Sequence, residues 1–108
     1  MGGIMSKDQY KQSRQELLID LYGKYLINEI TMGQLIAYLR KNILDMSQDE
    51  YADFVGISRR TLTNIEQDNG KLTQSILNKV FKPLGLKVGI IPIHEHVIRK
   101  IFNVSDEK

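Results

Sequence analysis

Apolar residues recur at helical spacing along most of the chain, and polar start signals and turn residues divide the recurrence into segments. Between Ser6 and Ile30, the residues Tyr10, Leu17, Leu18, Leu21, Tyr22, Tyr25 and Leu26 fall on one stripe. This predicts an amphipathic helix that packs on a core or across a dimer. Ser6 and Gln9 have capping-box spacing, while Gly23 weakens the last turns. The segment carries four charges of each sign, which gives it no electrostatic bias toward a polyanion.

Four shorter helices follow. Thr31 with Gln34 signals a start, and Leu35, Ile36 and Leu39 mark an inward face ending near Asn42. After a connector at 43–46, Ser47 with Glu50 opens a second helix whose apolar positions are Tyr51, Phe54 and Val55. Gly56 is placed to end it through a positive φ, which costs no steric clash where there is no Cβ. Ser58 then caps a third helix to about Gln67 with Leu62 and Ile65 inward. Asp68, Asn69 and Gly70 read as a loop, and Thr73 caps a fourth helix with Ile76, Leu77, Val80 and Phe81 inward, closed by Pro83.

Beyond it, Leu86–Ile91 is rich in Val and Ile and bounded by Pro92, which predicts a β-strand. A lone strand leaves its backbone groups unpaired, so the expectation is pairing with a second copy of the chain. Val97, Ile98, Ile101 and Phe102 predict a short final helix within His94–Val104.

At 108 residues, 42% of them hydrophobic and 26% charged, the chain suits one modest core without disulfides. It has no cysteine, no glycine-rich phosphate loop and only two histidines, so no catalytic constellation is visible and a non-enzymatic protein without cofactor is expected. His94 and His96 lack an evident third ligand, and no metal site is expected. No apolar run approaches the roughly 18 residues of a spanning helix, and the lack of cysteine suits a reducing compartment. A cytoplasmic protein without a membrane role is the expectation. The net charge of +2 is compatible with a polyanionic partner but does not argue for one.

The stretch Ser47–Glu66, SQDEYADFVGISRRTLTNIE, is more specific. Ala52 permits a close helix crossing, Gly56 makes the turn, and Ile57, Leu62 and Ile65 anchor one side of the third helix so that its other side stays free. This arrangement resembles the phage-repressor-like helix-turn-helix family, of the Cro/C1 or xenobiotic-response-element (XRE) type, over Thr31 to Leu86. The resemblance implies a mainly α, lambda-repressor-like DNA-binding domain at 31–85. An extra N-terminal helical extension at 1–30 and a strand and tail at 86–108 for dimerisation complete the expected organisation.

It further implies a sequence-specific transcriptional regulator of double-stranded DNA, acting as a dimeric repressor on an inverted repeat. The base-contacting residues would be Arg59, Arg60, Thr63 and Asn64, and the phosphate-contacting residues Ser47, Gln48, Lys41 and Lys71. Arginine pairs bidentately with guanine and asparagine with adenine, so a guanine in each half-site is expected. Glu66 would instead pair structurally with Arg40 or Lys41. The chain departs from the family pattern in a first connector one residue longer and in lacking a proline after the third helix, which leaves the register near Lys41 and Lys71 open. The strand after the fourth helix resembles the HipB-like antitoxin branch, which implies a toxin partner such as a HipA-type kinase. The competing reading is a protein-interaction module that uses the same fold without DNA.

Overall fold

A computed structural model describes residues 7–106, with side chains described over 13–103. Helix α1 spans Lys7–Leu26. The Ser6 and Gln9 cap and the side chain of Tyr10 lie outside the described residues. α1 stops four residues short of the expected Ile30 because Asn28 turns left-handed, at φ 66°. The amide N–H of Asn28 donates to Tyr25 O and that of Glu29 to Lys24 O. Those two bonds satisfy carbonyls that a helix end leaves open, and asparagine tolerates the left-handed conformation better than most residues.

Helix α2 covers Met32–Tyr38 and opens with the expected capping box, Thr31 Oγ1 accepting from Gln34 N and the Gln34 side chain accepting from Thr31 N. The helix then does not continue regularly to Asn42. Leu39–Ile43 form a π-turn, with Leu44 N donating to Leu39 O five residues back. A π-turn takes up one residue more than an α-turn over the same rise. The extra residue noted in the first connector is thus absorbed inside the helix end.

Helix α3 is Gln48–Val55, α4 Arg59–Glu66 and α5 Gln74–Phe81, followed by a single 3₁₀ turn at Lys82–Leu84. Ser47, Ser58 and Thr73 each cap the next helix with the side-chain oxygen, as their positions predict. The main core joins Ile36, Tyr51, Ala52, Leu62, Ile65, Val80 and Phe81 from α2 to α5. Tyr51 Oη donates to Val80 O, tying α3 to α5, and burial pushes the phenol up to about 12. A second cluster, Leu21, Leu35 and Leu39, fastens α1 to the adjoining side of α2, with Leu17, Leu18, Tyr22 and Tyr25 around it. Each such fully buried aliphatic side chain contributes about 1.5–3 kcal/mol.

Two close approaches fix α2 against the end of α4. A Cβ on Gly33 would lie 2.4 Å from Glu66 O and 2.7 Å from Ile65 O, so only glycine lets these backbones meet. Beside it, Asp68 Oδ1 accepts from Gly33 N at 2.9 Å and Oδ2 from the Thr31 hydroxyl at 2.6 Å. The carboxylate sits on the N-terminus of α2, where the helix dipole favours it.

Two further expectations fail. Phe54, predicted inward, is 64% exposed, because Tyr51 and Val55 already occupy the buried side of α3 and Phe54 reaches only the edge of Tyr51. Leu86–Ile91 is not a strand: among the described residues no segment pairs with it, and Val88 N donates instead to Asn78 Oδ1. The last helix, α6 at Glu95–Asp106, forms as predicted but buries only Ile98 of its apolar residues, with Val97, Ile101 and Phe102 exposed. The molecule is a plate of 44 × 42 × 19 Å with a radius of gyration of 16.1 Å. A compact domain near this length has about 13 Å.

Candidate nucleic-acid interface

α3 and α4 meet across Gly56, whose φ of 79° is the left-handed turn expected of it. Ala52 is buried at the crossing, and Leu62 and Ile65 seat α4 on the core, with Ile57 half-buried beside them. On the helix, Arg60 lies on the side opposite Leu62 and Ile65, flanked by Thr63 and Asn64. Arg59 and Arg60 are exposed, whereas Thr63 and Asn64 are half-buried. The sequence therefore folds into a helix held by one ridge, with polar and basic groups on the rest.

The ridge is closed by a buried ion pair. Arg40 Nε and Nη2 donate to the two Glu66 oxygens at 2.6 and 3.0 Å, and Arg40 Nη1 donates to Met46 O at 2.7 Å. Their side chains are 8% and 6% exposed. This is the pairing expected for Glu66, with Arg40 and not Lys41 as partner. Such a pair is worth keeping only if its hydrogen bonds are complete, and here the Met46 carbonyl, in the connector after the π-turn, and the Glu66 carboxylate share the guanidinium fork between them. Gln48 Nε2 also donates to Glu66 Oε1 at 2.8 Å. Thr63 Oγ1 donates to Gln48 Oε1 at 3.4 Å, linking the start of α3 to the exposed side of α4.

Ser47 is exposed and Gln48 half-buried at the start of α3. The Ser47 amide is committed to Glu50 Oε1 in the capping box. With the Glu50 amide donated to Ser47 Oγ, that leaves the Ser47 hydroxyl proton and the amides of Gln48 and Asp49 as donors toward an anion. Lys41 on the π-turn and Lys71 in the loop before α5 are both exposed and form no ion pair among the described residues. Arg59, by contrast, is engaged: its Nη1 lies 3.4 Å from Asp49 Oδ2.

Sequence reasoning missed Gly33, Asp68 and Asp49. A glycine at the second position of a capped helix is poor for helix propensity, and that mismatch was the available sign of a close approach. Asp68 and Asp49 carried no comparable signal, since both depend on contacts across the turn. His94 and His96 stand exposed with ring centroids 5.4 Å apart, and no group of three or more metal-ligating side chains occurs among the described residues. No described helix is long and apolar enough to cross a membrane.

A family model described as Helix-turn-helix matches residues 36–91, just over half of the chain. No curated protein and no solved structure gives a match. The matched residues contain α3, the Gly56 turn and α4, together with the Arg40 and Glu66 clamp that holds them. The chain belongs to the Cro/C1-type helix-turn-helix family of DNA-binding transcriptional regulators.

Proposed function

We propose that the protein is a dimeric, sequence-specific repressor that reads an inverted repeat with α4. The observation that carries this reading is the division of α4 into two sides. Leu62, Ile65 and Glu66 hold it to the core, while Arg59, Arg60, Thr63 and Asn64 are left on the surface. These four are the base-contacting residues of the proposal, and the two arginines favour guanine. Ser47, Gln48, Lys41 and Lys71 contact phosphates and set the register. Residues 31–85 carry the DNA contact.

Residues 86–108 carry the dimer contact. Ile90 is fully exposed, with Ile91, Ile93, Val97, Ile101 and Phe102 also exposed, so among the described residues six of the eight large exposed apolar side chains fall within 90–102. In Leu86–Ile91 the amides of Leu86 and Val88 are bonded, to Phe81 O and Asn78 Oδ1, while the other backbone groups pair with no strand among the described residues. Contact with the same segment of a second copy covers them and the apolar side chains at once. Two copies then present α4 about 34 Å apart, one turn of B-DNA. The antitoxin reading adds a toxin such as a HipA-type kinase as a further partner.

The test is selection of sites from a random duplex library by the purified protein, with its mass measured alongside. An inverted repeat recovered by a dimer supports the reading. The logarithm of the affinity falls with log salt by about 0.9 for each phosphate neutralised. Lys41 and Lys71 of two copies therefore predict a slope of at least about −3.6. A protein that enriches no site at low salt is an interaction module instead.

A further inference from the structure

Asp49 is the second residue of α3 and Arg59 the first of α4, and the Gly56 turn sets their side chains 3.4 Å apart, Arg59 Nη1 to Asp49 Oδ2. The two side chains are 70% and 63% exposed. An ion pair this open adds little to folding. A carboxylate at this place also opposes DNA binding, because it stands at the end of α3 that approaches phosphates and repels them. The dipole of α3 favours a carboxylate in its first turn, but that accounts for the charge and not for its contact with Arg59.

The geometry of the guanidinium supplies a reason. Arginine has five N–H groups in a rigid planar fork. With Nη1 engaged by the carboxylate, the edge formed by Nε and Nη2 keeps two parallel donors free, which is what the O6 and N7 acceptors of guanine require. A free Arg59 on a four-bond stem would sample phosphates and bases alike. We propose that Asp49 is a specificity-determining positioning residue: it braces Arg59 so that this arginine selects guanine in the major groove and does not spend its charge on the backbone. The inference rests on the reading of α4 as the DNA-contacting helix.

The experiment compares wild type, Asp49→Ala, Asp49→Glu and Arg59→Ala in the same duplex-library selection. Affinities for the selected site and for a non-operator duplex are measured over a salt series. A bidentate pair is worth about 1–3 kcal/mol, or roughly 5- to 150-fold discrimination. Asp49→Ala is expected to lose most of that factor at one base pair, the same base pair at which Arg59→Ala loses its preference. Its affinity for the non-operator duplex is expected to hold or rise, since a negative charge is gone, and its salt slope to steepen as Arg59 turns to phosphate. Asp49→Glu is expected to restore part of the preference. Thermal melts confirm that each exposed-site variant is folded.

Two results overturn the proposal. If Asp49→Ala keeps the guanine preference that Arg59→Ala loses, Asp49 is not a brace although α4 still reads DNA. If Asp49→Ala raises specific and non-specific affinity by the same factor, the carboxylate acts through charge alone. A wild-type protein that selects no site removes the underlying reading and this one with it.

Discussion

Replacing Glu66 by Gln keeps the shape of the side chain and removes the charge that compensates Arg40. Glu66 accepts three hydrogen bonds, two from Arg40 and one from Gln48, at 2.6, 3.0 and 2.8 Å. Glutamine has one acceptor oxygen, and its amide nitrogen must face a donor on one side. At least one charge-assisted bond is therefore lost, each worth about 1.5–3 kcal/mol. The Arg40 guanidinium, 8% exposed, is left without a counter-charge. Breaking a buried pair in this way costs about 3–5 kcal/mol. A domain of this size has about 5–15 kcal/mol in total. The midpoint of urea unfolding should therefore fall by about a fifth or more, at fixed protein concentration so that any self-association contributes equally. The double variant Arg40→Met with Glu66→Leu should cost less than the two single variants summed, by about 2 kcal/mol or more. It will not be neutral, because Met46 O loses the donor that reaches it at 2.7 Å. A Glu66→Gln protein that loses less than about 1 kcal/mol with an unchanged denaturant slope would behave like one with a broken surface pair, and the reasoning about the clamp would be wrong.

Other expected outcomes are more local. Gly33→Ala puts a methyl group 2.4 Å from Glu66 O, so α2 and α4 must separate; a loss of about 2–3 kcal/mol is expected, and a melting curve equal to wild type contradicts it. At Gly56 a Cβ meets nothing within 4 Å, so Gly56→Ala carries only the left-handed backbone penalty, about 1–2 kcal/mol, checked in the same melts. Tyr51 has its folded pKa raised to about 12 against 10.0 unfolded. Its contribution is complete below pH 10 and is lost as the pH climbs toward 12. Stability profiles of wild type and Tyr51→Phe should therefore converge over that interval, and parallel profiles would refute the assignment. Arg60→Ala should leave the melt unchanged within about 0.5 kcal/mol while weakening binding to the selected site, measured by titration of labelled duplex.

The parts of the fold legible in the sequence are those set by local chemistry. Thr31, Ser47, Ser58 and Thr73 announced four helix starts because a hydroxyl followed by free amides has one good use. Gly56 announced the turn for the same kind of reason. The Glu66 partner was narrowed to two neighbouring residues, and the π-turn decided between them by carrying Arg40 inward and Lys41 outward. What was hidden depends on contacts between segments. Phe54 has a spacing that fits the apolar face of α3, yet Tyr51 and Val55 fill the available room. Nothing in the residues 39–43 marks a π-turn, since only the packing of Leu39 and Arg40 on two different neighbours selects it. Leu86–Ile91 has the composition of a strand, but composition cannot supply the second strand that a ladder needs.

The way α4 is fastened separates two kinds of inherited change. The groups that hold the helix, Leu62, Ile65 and Glu66, lie on one ridge. Arg60 and Asn64, on the other side, form no side-chain hydrogen bond with the rest of the protein among the described residues. On the proposed reading of α4 as the DNA-contacting helix, their substitution leaves the scaffold intact, so descendants drift to new operators through these two positions by single steps. Arg59 is tied to Asp49, and a new residue there arrives with a leftover carboxylate on the face proposed for the duplex. Changes of operator that pass through the first residue of α4 are therefore expected in pairs, with position 49 as the companion.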